Sequence, residues 1–111
     1  MATYANIFVD QGSDFSFNVD LINSIGDIDL TNYSARGQIR KSYSSTTATD
    51  FNISLNVVED ELIVSLTSIQ TGALKAGRYV YDIEIFSDDL PSIVNRVIEG
   101  QIDVNPRVTL A

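Results

Sequence analysis

The chain has 111 residues, a hydrophobic fraction of 44% and a formal net charge of −8. That length and composition suit one globular domain, 1–111, with a single core, and argue against disorder. Cysteine and histidine are both absent, which excludes disulfides, thiolate metal sites and Ser-His-Asp or Cys-His catalysis.

The acidic balance repels phosphate backbones, so no nucleic-acid partner is expected. No apolar run reaches the ~18 residues of a membrane span, so no membrane partner is expected either. Met1 to Asp10 holds no basic segment followed by an apolar run, and no signal peptide is predicted.

Tyr4 to Val9 reads as a first strand, and Gln11-Gly12-Ser13 as a turn. Asp14 to Leu21 is a second strand, with Phe15, Phe17, Val19 and Leu21 on one face. Asn23 to Asp27 reads as a hairpin turn and Ile28-Asp29-Leu30 as a short extended piece. Tyr33 to Lys41 is a third strand, with Ala35, Gly37 and Ile39 inward and Arg36, Gln38 and Arg40 outward. Gly37 marks a bulge or a close backbone approach.

Ser42 to Thr49, with Tyr43 inside it, is predicted to be a mobile loop. Phe51 to Val57 and Leu62 to Leu66 alternate again and form a hairpin around Glu59-Asp60. Thr67 to Leu74 breaks the alternation. Ser68 is predicted to cap one helical turn there, with Ile69, Ala73 and Leu74 inward and Gly77 closing it. Arg78 to Phe86 is the clearest strand, and Ser87 to Pro91 turns the chain. Ser92 to Val104 is a long last strand, predicted to bulge at Gly100. The fold class is therefore all-β: a single antiparallel immunoglobulin-like β-sandwich with at most one short helical turn, a small barrel being the alternative.

Carboxylate pairs stand at Asp27/Asp29, Glu59/Glu61 and Asp82/Glu84. On a strand, an i, i+2 pair shares one face at roughly 6.5–7 Å. Acid/base catalysis also needs a deep cleft and unequal proton affinities, so a solvated face is the preferred reading. Asp27-Ile28-Asp29 and Ser87-Asp88-Asp89 carry calcium-type oxygens, but ordinary turn chemistry explains them. No glycine-rich phosphate loop is present. No cofactor is expected. Tyr79 and Tyr81 read as core residues with hydroxyls at the rim rather than as carbohydrate-stacking rings.

Several segments together resemble a family of small virion structural proteins of tailed bacteriophages. They are Gln11-Gly12-Ser13-Asp14-Phe15-Ser16-Phe17, the run from Asp29 to Ser42, Ile69 to Leu74, Ala76 to Glu84, and Arg96 to Val104 with Pro106 and Thr109. The family is similar in outline to the amino-terminal domains of upper-baseplate proteins. The resemblance implies a non-enzymatic structural protein acting in particle assembly as a tail, baseplate or neck component. A capsid decoration protein or a host-surface glycan- or receptor-binding module is the alternative. It further implies a virion location after synthesis in the host cytoplasm, and partners that are other virion proteins in symmetric multiple copies.

On this reading the docking surface comprises Ile7, Phe8 and Val9 of the first strand, the Arg36–Arg40 stripe with Lys41, and Tyr43. The competing expectation is that Tyr4 to Val9 completes the protein's own core.

Overall fold

The computed structural model describes residues 3–21, 31–87 and 93–108. The predicted hairpin turn at Asn23–Asp27, the piece at Ile28–Leu30, the Asp27/Asp29 pair and most of the Ser87–Pro91 turn with Asp88-Asp89 lie outside the described residues.

The strands are β1 (Thr3–Tyr4), β2 (Ile7–Asp10), β3 (Phe15–Asp20), β4 (Tyr33–Arg40), β5 (Thr49–Asp50), β6 (Asn52–Asn56), β7 (Glu61–Leu66), β8 (Gly77–Ser87) and β9 (Val94–Asn105). A helix, α1 (Ser68–Ala73), joins β7 to β8. Among the described residues the strands form two sheets. The larger runs β1-β9-β8-β4-β5, with β2 also on β9, and the smaller runs β3-β7-β6. The two sheets correspond to the G-F-C-C′ and B-E-D sheets of an immunoglobulin-like sandwich.

Strands β3, β4, β6, β7 and β8 bury the face that the sequence pattern gives them. Tyr79, Tyr81, Ile83 and Ile85 of β8 meet Leu62, Val64 and Leu66 of β7 in one core. Four aromatic rings run through it. Phe15 lies 5.6 Å from Phe17, Phe17 lies 6.5 Å from Phe51, and Phe51 lies 6.0 Å from Tyr81. The last two contacts are edge-on, the arrangement that ring quadrupoles favour.

The antiparallel expectation holds for every described pair except those of the first two strands. β1 and β2 both pair with β9 in parallel, Thr3 opposite Ile98 and Ile7 opposite Ile102. Nearly the whole chain connects these partners, so no hairpin constrains their direction. Tyr4 to Val9 is also not one strand but two, broken at Ala5-Asn6.

Gly100 does not carry the bulge. The register slips where Ile83 faces Ile98 while Glu84 faces Arg96, so Val97 is the extra residue. The slip turns two consecutive side chains, Val97 and Ile98, into the core. Gly100 serves a close approach instead: a Cβ there would lie 2.0 Å from the Ala5 carbonyl oxygen. Gly37 also marks a close approach, since its Cβ would stand 2.7 Å from Ile83 and 2.8 Å from the Asp82 carbonyl oxygen.

α1 starts one residue earlier than expected. Thr67 is its cap, accepting from the Gln70 N–H at 3.2 Å, while the Gln70 side chain accepts from the Thr67 N–H at 2.9 Å. Ile69 is exposed, as is Ala73; Thr71 and Leu74 are the inward residues. A six-residue helix has too few turns for a full apolar stripe, and Thr71 faces inward because it bonds the Gln11–Asp14 turn. Its hydroxyl accepts from the Gly12 N–H at 3.0 Å and donates to the Ser13 carbonyl at 2.8 Å. Asp14 accepts from the Ser68 N–H at 2.7 Å, and Gln11 donates to the Leu74 carbonyl at 2.9 Å.

At the far end of the same connection the Tyr79 hydroxyl donates to the Lys75 carbonyl at 2.7 Å. This is the tyrosine corner of immunoglobulin-like sandwiches, which ties the start of a strand back to the preceding turn.

Candidate functional site

The outer face of the larger sheet carries a ladder of charged side chains. On β4, Arg36, Gln38 and Arg40 point outward as expected. Register sets Arg36 opposite Glu84 and Gln38 opposite Asp82 on β8. Asp82 in turn faces Glu99 on β9. Ion pairs cross the strands, Arg36 with Glu84, Arg96 with Asp82 at 3.4 Å and Arg78 with Asp103 at 3.1 Å, and within β9 Arg96 also meets Glu99 at 3.7 Å.

The stripe is therefore not a free positive patch. Arg36 also lies over the Phe86 ring, 4.4 Å from its centroid. Lys41 sits 4.8 Å from the Tyr79 centroid and donates to the Arg78 carbonyl at 3.1 Å, which ties it to the tyrosine corner. Arg40 is the exception. Its guanidinium donates to Gln38 at 3.2 Å, and among the described residues it has no carboxylate partner. Gln38 in turn donates to Asp50 at 2.9 Å. The Asp82/Glu84 pair belongs to this ladder, each carboxylate matched to an arginine.

Of the residues expected at the docking surface, Val9 is completely buried and Ile7 packs against the core. Strand alternation leaves only Phe8 outward, 67% exposed. Tyr43 is 80% exposed in the segment after β4. Ser42 and Ser45 shape its turn, each backbone N–H bonded to the other residue.

Two cavities open on this face, and both are bordered by Gln38, Arg40 and Asp82. The larger, about 640 Å³, extends past Ala35 and Gly37 to Asp50, Phe51 and Ile53. The smaller, about 230 Å³, is walled by Tyr43 and floored by Val80, with Arg96 and Glu99 beyond. Sequence reading did not join these residues, because the carboxylates and arginines come from four strands whose register the sequence does not give, and Arg36 and Glu84 stand 48 residues apart. The exposed Tyr43 beside the Arg36–Arg40 alternation was the available signal.

Tyr81 lies under this face. Burial first, then the charges of Tyr4 and Glu99, push its phenol well above the usual tyrosine range. It is a structural donor, bonding the Ala5 carbonyl at 2.8 Å.

No family model matches the chain, and no curated protein matches it. Among solved structures it is similar to the Listeria monocytogenes internalin-like protein lmo2027, at 14% identity and a TM-score of 0.47. The match covers 96% of this chain and 28% of that one.

Proposed function

We propose that the chain is a non-enzymatic structural module of a tailed-bacteriophage particle, acting in assembly of the tail, baseplate or neck. The observation that carries the reading is where the resembling segments go. Gln11 to Asp14 bonds the helix that holds Thr71, Tyr79 makes the corner, and Gly100 admits the amino-terminal crossover. These segments are spent on building the sandwich. A family resemblance concentrated in such positions describes a shared scaffold, with partner choice left to the outward side chains.

Phe8 and Tyr43 are the outward aromatics of the expected docking set, and large aromatics anchor protein interfaces. A net charge of −8 keeps free copies apart until they reach their site.

The test is to purify particles from a culture that makes this chain and to quantify it by mass spectrometry. Stoichiometric copies matching the symmetry of a tail, baseplate or neck ring are expected. A folded, soluble chain missing from purified particles would refute the proposal.

A further inference from the structure

We propose that the edge of β4 at Ala35–Gly37 binds an extended peptide strand of another protein, one that carries an acidic residue outward and an apolar residue inward. This goes beyond a role in assembly: it states how the chain grips a segment, whichever protein supplies it.

The ladder on this edge stops half-made. β5 pairs with β4 only at Ile39–Thr49 and Gln38–Asp50. The Phe51 N–H still donates to the Gly37 carbonyl at 3.0 Å, but among the described residues no return bond reaches the Gly37 N–H. Phe51 instead takes the chain across to β6 in the smaller sheet. Backbone groups of a strand alternate between its two neighbours, so Ala35 points its N–H and carbonyl the same way as Gly37, away from β8. Among the described residues these groups have no strand partner. Gly37 is buried, and a buried N–H left unpaired is rare. An open sheet edge is a template for an added strand.

The larger cavity fits that mode. It borders both faces of the edge, with Arg36 and Glu84 on the outer side and Ala35, Phe51 and Ile53 on the inner. A strand sends alternate side chains to opposite faces, so an added one fills both sides while its backbone meets Ala35. A compact ligand would fill one side and leave the edge groups unpaired.

The lining sets the side chains. Inward, the residue opposite Ala35 meets Phe51 and Ile53, where a polar group would lose water without gaining a partner. Outward, the neighbouring residue stands opposite Arg36. β5 shows the pattern two residues along β4: Asp50 lies opposite Gln38 and accepts from it at 2.9 Å. The Arg36 side chain is 57% exposed and uses its Nε for Glu84, so its guanidinium keeps N–H groups for a second carboxylate. Charge complementarity therefore selects an acid, and a cation at that place would face Arg36 directly.

The experiment is titration of the ¹⁵N-labelled full chain with the peptide acetyl-Asp-Ile-Thr-Val-Thr-amide, up to about 2 mM. Laid antiparallel to β4, it sets its aspartate opposite Arg36 and its isoleucine opposite Ala35. Saturable shifts of the Ala35, Arg36, Gly37 and Ile53 amides are expected. Methylating the isoleucine nitrogen blocks its backbone bond to Ala35 and keeps every side chain, and should weaken binding about tenfold. Replacing the aspartate by lysine should weaken it about fivefold or more, with a smaller difference in high salt. Neither comparison alters the protein, so folding does not confound it. Equal binding of the N-methylated peptide would overturn strand addition, and equal binding of the lysine peptide would overturn the choice of an acid. So would no shift up to the highest concentration, or the same shifts on raising the chain's own concentration without peptide, which would assign the edge to a second copy.

Discussion

The Tyr81 hydroxyl donates to the Ala5 carbonyl at 2.8 Å, across 76 residues of chain. That bond joins the central strand of the larger sheet to the break between β1 and β2. The Ala5 N–H donates to the Glu99 carbonyl at 2.8 Å, and Gly100 leaves the space in which the Ala5 carbonyl sits. Three residues thus hold the amino-terminal crossover against β9.

Removing the donor with Tyr81→Phe should cost about 1–3 kcal/mol, because the Ala5 carbonyl loses its partner inside the fold. The variant should also change the alkaline limb of stability. In the unfolded chain the phenol titrates near 10.0, and in the folded chain it titrates higher. The folded state therefore holds a proton that the unfolded state releases. This contribution is complete below about pH 10 and falls above it, by at most about 1.4 kcal/mol per pH unit. Urea melts of parent and variant on either side of that pH should show the parent losing stability more steeply. Parallel pH curves would contradict the assignment.

Gly100→Ala tests the same junction from the other side. Its Cβ would lie 2.0 Å from the Ala5 oxygen, so the crossover must move. Overpacking of this kind costs about 1–3 kcal/mol. Hydrogen exchange should show the loss first at the Ala5 and Gln11 amides, which bond Glu99 and Asn105. Protection that drops evenly along all strands would instead indicate global destabilisation.

The sequence made the strands and their inward faces legible because period-two alternation is a local property. It gave the faces of β4 and β8 correctly, and with them Tyr79 and Tyr81 as core residues. It could not give strand direction: alternation looks the same in a parallel and an antiparallel partner, so β1 and β2 were misread. The bulge at Val97 was hidden because two adjacent apolar residues fit either face until the partner's register is known. The helix start was closer to legible. Thr67 and Gln70 have capping-box spacing, and the neighbouring hydroxyl of Ser68 competed for the same role. For the outer face, composition showed an arginine stripe but not its neutralisation, since Arg36 meets Glu84 only through sheet pairing.

The turn that holds α1 should depend on one hydroxyl. Thr71 is fully buried and serves both the Gly12 N–H and the Ser13 carbonyl. Thr71→Val preserves shape but strands both backbone groups, at about 1–3 kcal/mol. Thr71→Ser keeps the bonds and loses one methyl, nearer 0.8 kcal/mol by the ~0.8 per buried carbon scale. Denaturant melts should rank parent, Ser, Val in falling order. A valine variant as stable as the serine variant would mean the hydroxyl contributes little.

Burial predicts a wide gap between the two faces of the larger sheet. Ile83 is completely buried, so Ile83→Ala should cost about 2–5 kcal/mol through the cavity it leaves. Arg40 is exposed and among the described residues bonds only Gln38, so Arg40→Ala should cost less than about 0.5 kcal/mol. Comparable losses in chemical denaturation would reverse the assignment of inside and outside.

The first strands combine two roles that adjacent residues separate. Val9 has no exposed surface, whereas Phe8 is 67% exposed on the opposite face of β2. Val9→Asp buries a carboxylate without a partner and should prevent stable folding. Phe8→Ser removes only an outward ring and should leave stability within about 0.5 kcal/mol of the parent. If the strand also docks the module in a particle, Phe8→Ser should fold normally and yet be depleted from purified particles, since a buried aromatic anchor at an interface is costly to remove. Deleting residues 2–9 takes away Val9 together with Phe8, so it should unfold the chain and cannot separate the two roles. The pair of point variants can. Thermal melts give the folding arm, and mass spectrometry of particles gives the docking arm. Full incorporation of a folded Phe8→Ser chain would remove β2 from the docking surface and leave it a part of the sandwich alone.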